Sequence, residues 1–312
     1  MPELPEVQTT VDGLNKTVRG KKILDVWTEY NSPFHAGKDN IKNPLFFKKF
    51  KKEIVGTTIR KSVRVGKNVL IELSNGKTIL IHMKMTGHLL FGEYRKVNNE
   101  SGIKNGDKKE IWKPKDNTSM LADPFNRFIR LIFILPGGKQ LAFSDMRKFA
   151  KVTLIDTGKY EEDKELAHLG IDALQIDFKK FKELITEEKK PIKQTLMDQE
   201  IVAGVGNIYA DECLWLAGIH PQSNSSKIPQ KELKKLFEDV RSVLKKGIDF
   251  GGDSMSDYRN IYGERGKFQN KHNAYRKTKE RCSKRGCNGT IKRELIGARS
   301  SHFCPTHQKL FK

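Results

Sequence analysis

Apolar residues near the start of the chain repeat with the period of an α-helix. They follow steps of four, three and four residues, which places them on one helical face. The pattern predicts an amphipathic helix that begins near Glu6 and ends near Gly20. The residues on this face are Val7, Val11, Leu14 and Val18.

Short runs rich in β-branched residues replace the helical pattern after Gly20. A turn signal at residues 74–77 (Ser-Asn-Gly-Lys) separates two of the runs, and Pro136-Gly137-Gly138 separates two others. Many short strands at close spacing are typical of an antiparallel sandwich or barrel. The predicted strands are residues 23–30, 57–65, 69–73, 78–83, 128–135, 140–143 and 151–155.

A polar stretch at residues 93–123 interrupts the strands. It is rich in Lys, Asn, Gly and Asp, and we interpret it as a long hairpin insertion or a flexible loop. After residue 157 the period becomes helical again, and Gly251-Gly252 ends the last long helical face. The predicted helices are residues 161–169, 178–188, 192–197, 208–217 and 233–248.

These elements predict an α+β protein with three parts. Residues 1–157 form an N-terminal helix with an antiparallel β-sandwich, and residues 158–272 form a helical domain. Residues 273–312 form a small basic module. The first is expected to carry the catalytic N-terminus.

The charge of the chain indicates a polyanionic partner. Its 59 Lys and Arg residues against 38 Asp and Glu residues produce a formal net charge of +21. Nucleic acid is the first candidate and an anionic membrane surface the second. No apolar run approaches the roughly 20 residues of a membrane span, and the N-terminus lacks the pattern of a signal peptide. The lack of a membrane span and of a signal peptide indicates an intracellular protein. We also expect a monomer that associates with DNA and has no membrane partner.

Three of the four cysteines lie near the C-terminus, in a spacing typical of a metal site. Four residues separate Cys282 from Cys287, sixteen separate Cys287 from Cys304, and His307 follows three residues later. Two close ligand pairs at this separation predict a zinc ribbon or finger. His302 is an alternative fourth ligand, but it is only two positions from Cys304, which is poor geometry for chelation. We expect one structural Zn²⁺ that holds a β-hairpin presenting Arg293 and Arg299 to phosphates or bases.

The second residue is a proline, followed by a carboxylate in Pro2-Glu3. If Met1 is removed, Pro2 carries a free secondary amine, and α-amino groups have a pKa of about 7.7–8.0. A useful fraction is then neutral and nucleophilic near pH 7. Attack on a sugar aldehyde carbon leads to an iminium that is already cationic. Pro-Glu also opens ordinary helices, so the rest of the chain must decide between the two interpretations.

The motifs together resemble the formamidopyrimidine-DNA glycosylase family, bifunctional base-excision enzymes for oxidised purines. The resemblance covers nearly the whole chain and ends with the zinc finger. Its other motifs are residues 2–6 (PELPE), Gly66-Lys67, residues 82–87 (HMKMTG), residues 145–149 (DMRKF) and residues 196–210 (LMDQEIVAGVGNIYA). The last of these resembles the family's helix–two-turn–helix, which implies that residues 158–272 are a DNA-binding domain of that kind.

The resemblance implies a role for each matching residue. Pro2 is the nucleophile, Glu3 the general acid on the opened sugar, and Glu6 holds the active-site end of the helix. The implied partner is double-stranded DNA that contains an oxidised base, extruded from the stack. The implied phosphate ligands are Lys67, His82, Asn207, Tyr275 and Arg299, and the side chains that fill the space left by the extruded base are Met85, Arg147 and Phe149.

The chain departs from the family pattern in four places. The first cysteine pair is spaced by four residues instead of two, His307 replaces a cysteine, and Arg293 replaces a lysine. The insertion at residues 93–123 has no counterpart in the common bacterial form. The damaged-base loop is expected at residues 256–266, where the sequence does not determine the lesion range.

Two other functions remain open from the sequence. One is an endonuclease VIII-type glycosylase for oxidised pyrimidines, against which Leu4 and the set Met85, Arg147 and Phe149 argue. The other is a non-catalytic zinc-finger protein that binds damaged DNA. Single residues also have ordinary interpretations: Lys67 as a turn residue, His82 as a buried histidine, Asn207 as a helix N-cap.

Overall fold

The computed structural model describes residues 1–99, 109–255 and 257–312, and it divides the chain into two compact units. The first unit contains residues 1–2, 6–163 and 253–266, and the second contains residues 3–5, 164–252 and 267–312. The chain thus passes between units beside Pro2 and again beside Pro5. The C-terminal module belongs to the second unit in this division.

Two four-stranded antiparallel sheets form the first unit, as the short runs rich in β-branched residues predict. Their strand orders are β1-β8-β9-β5 and β10-β4-β3-β2. The ten strands of this unit are β1 (Asp25–Thr28), β2 (Ile59–Val65), β3 (Asn68–Leu73), β4 (Lys77–His82), β5 (His88–Gly92), β6 (Tyr94–Asn99), β7 (Lys109–Pro114), β8 (Ile129–Ile134), β9 (Gln140–Ser144) and β10 (Lys151–Asp156).

Helix α1 (Leu4–Thr17) packs its predicted apolar face into the core of the first unit. A second helix, α2 (Pro44–Ile54), was not predicted. It has Pro44 at its first position, and the side chain of Asn43 accepts a hydrogen bond of 3.2 Å from the Leu45 N–H. Phe50 and Ile54 anchor it in the core. Lysines between its phenylalanines hide the helical period in the sequence.

The polar insertion contains a hairpin. Strands β6 and β7 pair in antiparallel register from Tyr94↔Pro114 to Asn99↔Lys109, so the hairpin interpretation is confirmed for the described residues. Residues 100–108 lie outside them. Tyr94 is buried, and Trp112 packs edge-on against Trp27 with ring centroids 6.0 Å apart. The insertion is thus attached to the sandwich by aromatic side chains.

Helices dominate the second unit, and four of the five predicted helices are confirmed. They are α3 (Phe178–Thr186), α4 (Ile192–Met197), α5 (Asn207–Ala217) and α6 (Gln230–Asp249). The helix predicted at residues 161–169 is wrong, because only a single 3₁₀ turn forms at Tyr160–Glu162. Leu166 is the only apolar side chain of that segment buried in the structure, too few for an amphipathic helix.

Two small sheets complete the second unit. Strands β11 (Ile171–Asp172) and β12 (Val202–Ala203) pair in parallel, and β13 (Lys292–Ile296) and β14 (Arg299–Phe303) form a hairpin. Its turn is Gly297-Ala298, with φ of 56° and 59° at the two residues. Among the described residues no helix combines the length and apolar character needed to cross a membrane.

Candidate active site and nucleic-acid interface

The carboxylate of Glu3 lies at the N-terminus of α5. Its Oε1 accepts a hydrogen bond of 3.0 Å from the Ile208 N–H, and its Oε2 accepts one of 3.4 Å from the Tyr209 N–H. Glu3 is 3% exposed. The first N–H groups of a helix have no partner within the helix and carry partial positive charge. The acid next to Pro2 is therefore held in one position, and its negative charge is stabilised.

Glycines before α5 leave the room that Glu3 and Leu4 occupy. A Cβ at residue 206 would lie 2.6 Å from Glu3 Oε1, closer than real Cβ atoms approach. Gly204 has a φ of +109°, and its carbonyl accepts a hydrogen bond of 3.1 Å from the Leu4 N–H. The Gly204-Val205-Gly206-Asn207 motif thus leaves the space in which Glu3 and Leu4 pack.

Asn207 is the first residue of α5, and Gly206 occupies the N-cap position. The interpretation of Asn207 as a helix N-cap is therefore wrong, since Glu3 accepts the hydrogen bonds that a capping side chain would accept. The Oδ1 atom of Asn207 is buried without a hydrogen-bond donor in the described part of the chain.

Pro2 is buried and Glu6 is 2% exposed, both in the first unit. Glu6 Oε1 accepts a hydrogen bond of 2.7 Å from the Asp253 N–H, and the Glu6 carbonyl accepts one of 3.0 Å from the Tyr258 hydroxyl. Glu6 therefore ties Asp253 and Tyr258 to the first turn of α1. Of the expected damaged-base loop, residue 256 lies outside the described residues.

Lys67 and His82 come together at the end of β4. Lys67 is 6% exposed in the two-residue turn between β2 and β3, where Gly66 has a φ of 56°. Asn68, the next residue, is the register partner of His82. Burial first, then the positive charges of Lys84 and Lys67, lower the pKa of His82 to about 3. His82 is therefore neutral near pH 7.

The tautomer of neutral His82 follows from its backbone contact. The Lys84 N–H donates a hydrogen bond of 3.0 Å to His82 Nδ1, so the ring proton is on Nε2. That N–H is a donor suited to a phosphate oxygen. The interpretation of His82 as a satisfied buried histidine accounts for only one of its two ring nitrogens.

Met85, Arg147 and Phe149 project from two loops of the first unit. Met85 is 40% and Phe149 52% exposed, and Arg147 is also exposed. The Arg147 guanidinium lies 4.8 Å from the centre of the Phe149 ring. Large apolar side chains this exposed on neighbouring loops are suited to entering a base stack.

Asp145 joins the two loops, a role the sequence did not reveal. It is fully buried, and its carboxylate accepts hydrogen bonds from the Thr86 hydroxyl at 2.6 Å, the Tyr30 hydroxyl at 2.9 Å and the Ala150 N–H at 3.0 Å. Thr86 Oγ1 also accepts a hydrogen bond of 3.1 Å from the Arg147 N–H. The signal available in the sequence was the place of Asp145 at the start of the motif at residues 145–149.

The C-terminal cluster has the geometry of a zinc site. One ligand atom from each of Cys282, Cys287, Cys304 and His307 lies within 4.8 Å of the others. Two Sγ atoms, of Cys287 and Cys304, are 3.7 Å apart. Thiolates at about 2.3 Å from a tetrahedral zinc lie about 3.8 Å apart, so the observed spacing fits.

A second contact selects the metal-binding nitrogen of His307. Its Nε2 lies 3.0 Å from the Trp215 carbonyl, which can only accept a hydrogen bond, so Nδ1 is free of its proton and faces Cys282 Sγ at 3.3 Å. His302 does not join the cluster, because its Nδ1 lies 3.0 Å from Asp211 Oδ2.

A buried ion pair attaches the β13–β14 hairpin to the helices. Lys193 Nζ lies 2.7 Å from Asp211 Oδ1, and the two side chains are 1% and 0% exposed. Lys193 also donates hydrogen bonds to the Ser300 carbonyl at 2.8 Å and the Ser301 hydroxyl at 2.9 Å. The pair therefore fixes the position of β14.

The hairpin arginines and Tyr275 occupy the second unit as well. Arg293 and Arg299 are exposed, and Arg293 Nη2 donates a hydrogen bond of 2.7 Å to Ser300 Oγ. The Tyr275 ring packs edge-on against His302, with centroids 5.0 Å apart. Its backbone N–H donates a hydrogen bond of 2.8 Å to Glu212 Oε1, another contact the sequence did not reveal.

Comparison with known proteins identifies the family. A model of the formamidopyrimidine-DNA glycosylase N-terminal domain matches residues 1–152, and a model of the H2TH domain of the same glycosylase matches residues 169–259. A formamidopyrimidine-DNA glycosylase of Streptococcus mutans is 32% identical over 312 residues, covering 99% of this chain and 100% of that protein. The chain belongs to the formamidopyrimidine-DNA glycosylase family.

Other family members are similarly close. The Bacillus subtilis formamidopyrimidine-DNA glycosylase is 32% identical over 307 residues, which cover 97% of this chain and 98% of that protein. A variant of Lactococcus lactis Fpg, solved in complex with DNA containing Fapy-dG, aligns with a TM-score of 0.79 and 29% identity over 99% of this chain and 100% of that one. A Lactococcus lactis Fpg complex with DNA containing an abasic site aligns with a TM-score of 0.79 and 28% identity, covering 98% and 99% of the two chains.

Proposed function

We propose that this chain is a DNA glycosylase that removes oxidised purines, 8-oxoguanine or formamidopyrimidines, and then cleaves the strand as an AP lyase. The observation that carries the proposal is the position of Glu3. Its carboxylate is fixed by the Ile208 and Tyr209 N–H groups, and it is the neighbour in sequence of the proposed nucleophile Pro2.

The chemistry starts with the Pro2 amine once Met1 is removed. The amine nitrogen bonds to C1′ as the bond between C1′ and the base breaks, and the departing base, which keeps the electron pair of that bond, takes a proton from water. The nitrogen then loses its own proton to Glu3, and Glu3 passes that proton to O4′ as the sugar ring opens to the iminium. Loss of a C2′ proton expels the 3′ phosphate, and a second elimination expels the 5′ phosphate.

The proposed phosphate ligands use part of the excess positive charge. Lys67 and the neutral donor His82 are adjacent in the first unit, and Arg293 and Arg299 are exposed on the zinc-finger hairpin. Asn207 and Tyr275 complete the proposed set. Since each neutralised phosphate contributes about −0.9 to the log–log slope of affinity against salt, binding falls steeply as salt rises.

The zinc site shapes the interface and takes no part in the reaction. Cys282, Cys287, Cys304 and His307 would hold one Zn²⁺, whose four protein ligands leave no position for substrate. When bound, the ion supplies a fixed fold for the hairpin that carries Arg293 and Arg299. Such an enzyme works where the genome is, in the bacterial case at the nucleoid.

Borohydride trapping tests the proposal. The protein is incubated with a duplex containing one 8-oxoguanine, and peptide mapping should locate the reduced adduct on Pro2. A version with one extra residue before Pro2 is the matched control, because it blocks the amine and keeps every side chain. An adduct on a lysine, or none with Pro2 free and zinc bound, would overturn the mechanism. A duplex with an oxidised pyrimidine shows whether the lesion class is right.

A further inference from the structure

A positively charged cleft of about 520 Å³ lies in the first unit beside Phe149. Three segments line it: the chain before α2, the residue before Met85, and the start of β10. Its cations are Lys38, Lys42, Lys84 and Lys151, with a single carboxylate from Asp39. His35 also lines it, but burial first, then the charges of Lys42 and Lys38, lower the pKa of His35, so it is neutral near pH 7.

The cations of this cleft repel one another. Within the described residues, no ion pair joins Lys38, Lys42 or Lys84 to a carboxylate. Burial first, then the charges of Lys84 and Lys38, lower the pKa of Lys42, although Asp145 opposes the shift. Converging charges of one sign destabilise a fold unless a ligand of opposite charge compensates them.

Lys67 and the cleft residue Lys151 lie on opposite sides of the end of β4. The last residue of β4, His82, pairs with Asn68 of β3 on one side and with Lys151 of β10 on the other. Neighbouring strands are about 4.8 Å apart, which separates the two sides by about 10 Å. Met85 lies three residues after the end of β4, and Phe149 lies two residues before the start of β10.

We propose that this cleft binds backbone phosphates of the DNA strand opposite the damaged one. The inference rests on the proposed function, in which Lys67 and His82 hold the damaged strand while Met85 and Phe149 enter the stack. Side chains that enter between two strands leave one strand on each side. The strand on the Phe149 side then runs over Lys38 and Lys42.

A charge-matched pair of variants tests the cleft. The Lys38→Gln/Lys42→Gln variant removes two of its cations, and Lys48→Gln/Lys49→Gln removes two exposed cations of α2 in the same unit. Affinity for a duplex with an abasic-site analogue is measured between 50 and 200 mM salt. The cleft variant should lower the slope by about 1.8, two contacts at about 0.9 each. The ratio of the wild-type affinity to the variant affinity should therefore be about ten times larger at 50 mM salt than at 200 mM salt.

Methylphosphonate substitution identifies the strand. Neutralising single phosphates of the undamaged strand near the lesion should weaken binding by the wild type and have little effect on the cleft variant. Interference confined to the damaged strand, or a cleft variant with the same slope as the Lys48/Lys49 control, would overturn the proposal. A cleft variant that is still trapped by borohydride at low salt leaves the proposed function intact, whereas failure of the wild type to be trapped contradicts that function instead.

Discussion

Replacing Lys193 with methionine should destabilise the second unit more than any surface lysine does. Lys193 and Asp211 are 1% and 0% exposed, and the Asp211 carboxylate also accepts a hydrogen bond of 2.9 Å from the His302 N–H. Methionine keeps most of the volume and removes the ammonium. The Asp211 charge then stays buried with one partner fewer.

Burial sets the expected magnitude. Removing one partner of a buried ion pair costs about 3–5 kcal/mol, because the remaining charge cannot regain water. Lys190 and Asp198 form a control pair at 2.6 Å, but these side chains are 33% and 34% exposed. Solvent-exposed pairs contribute about 0–1 kcal/mol, so Lys190→Met should cost little.

Urea unfolding followed by tryptophan fluorescence measures the difference. In a Trp27→Phe/Trp112→Phe background, Trp215 is the remaining tryptophan and reports on the second unit. Adding Asp211→Asn to Lys193→Met should restore part of the loss, because it removes the isolated charge. If Lys193→Met costs no more than Lys190→Met, or if Asp211→Asn makes it worse, the loss does not come from a buried charge.

Three further outcomes follow from the site. Burial lowers the pKa of His88, the first residue of β5, to about 4. The free energy of unfolding should therefore be unaffected by His88 above pH 6.5 and should fall by about 3 kcal/mol as the pH falls towards 4. Urea unfolding at pH 7 and 4.5 should show a smaller pH effect in His88→Gln, and equal effects would contradict this. Cys304→Ser should release zinc, measured by elemental analysis, and weaken DNA binding while the circular dichroism of the sheets persists. Arg147→Ala should reduce excision and abolish a preference for cytosine opposite 8-oxoguanine, because a guanidinium donates to the cytosine O2 and N3 acceptors; a wild type without that preference would show that Arg147 does not contact the orphan base.

Local periodicity predicted most of the fold. The apolar face of α1 and the β-branched runs of the strands are patterns of neighbouring residues, so no distant contact is needed to recognise them. Helix α2 escaped recognition because its two buried anchors, Phe50 and Ile54, are separated by lysines and a glutamate. The segment at 161–169 shows the opposite error, since its residues favour a helix but only Leu166 is buried.

The metal ligands were also predictable, because each pair lies within a few residues. Choosing between His302 and His307 as the fourth ligand required the three-dimensional structure. The His302 side chain faces Asp211, 91 positions earlier in the chain, and the His307 ring is oriented by the Trp215 carbonyl. Neither partner is near its histidine in sequence, so no local pattern reports the choice.

The same argument explains why the sequence did not predict the hydrogen bonds of Glu3. Its hydrogen bond to Ile208 joins residues 205 positions apart. The Gly-Val-Gly-Asn motif was visible as part of a family signature, but its physical reason is the space at Gly206, where a Cβ would collide with the Glu3 carboxylate. The glycine in this motif is therefore required by the space that an N-terminal residue, Glu3, occupies. In the proposed mechanism, the N-terminal proline and the glycines beside the Glu3 carboxylate form one constraint on the sequence, since a side chain at residue 206 would displace that carboxylate.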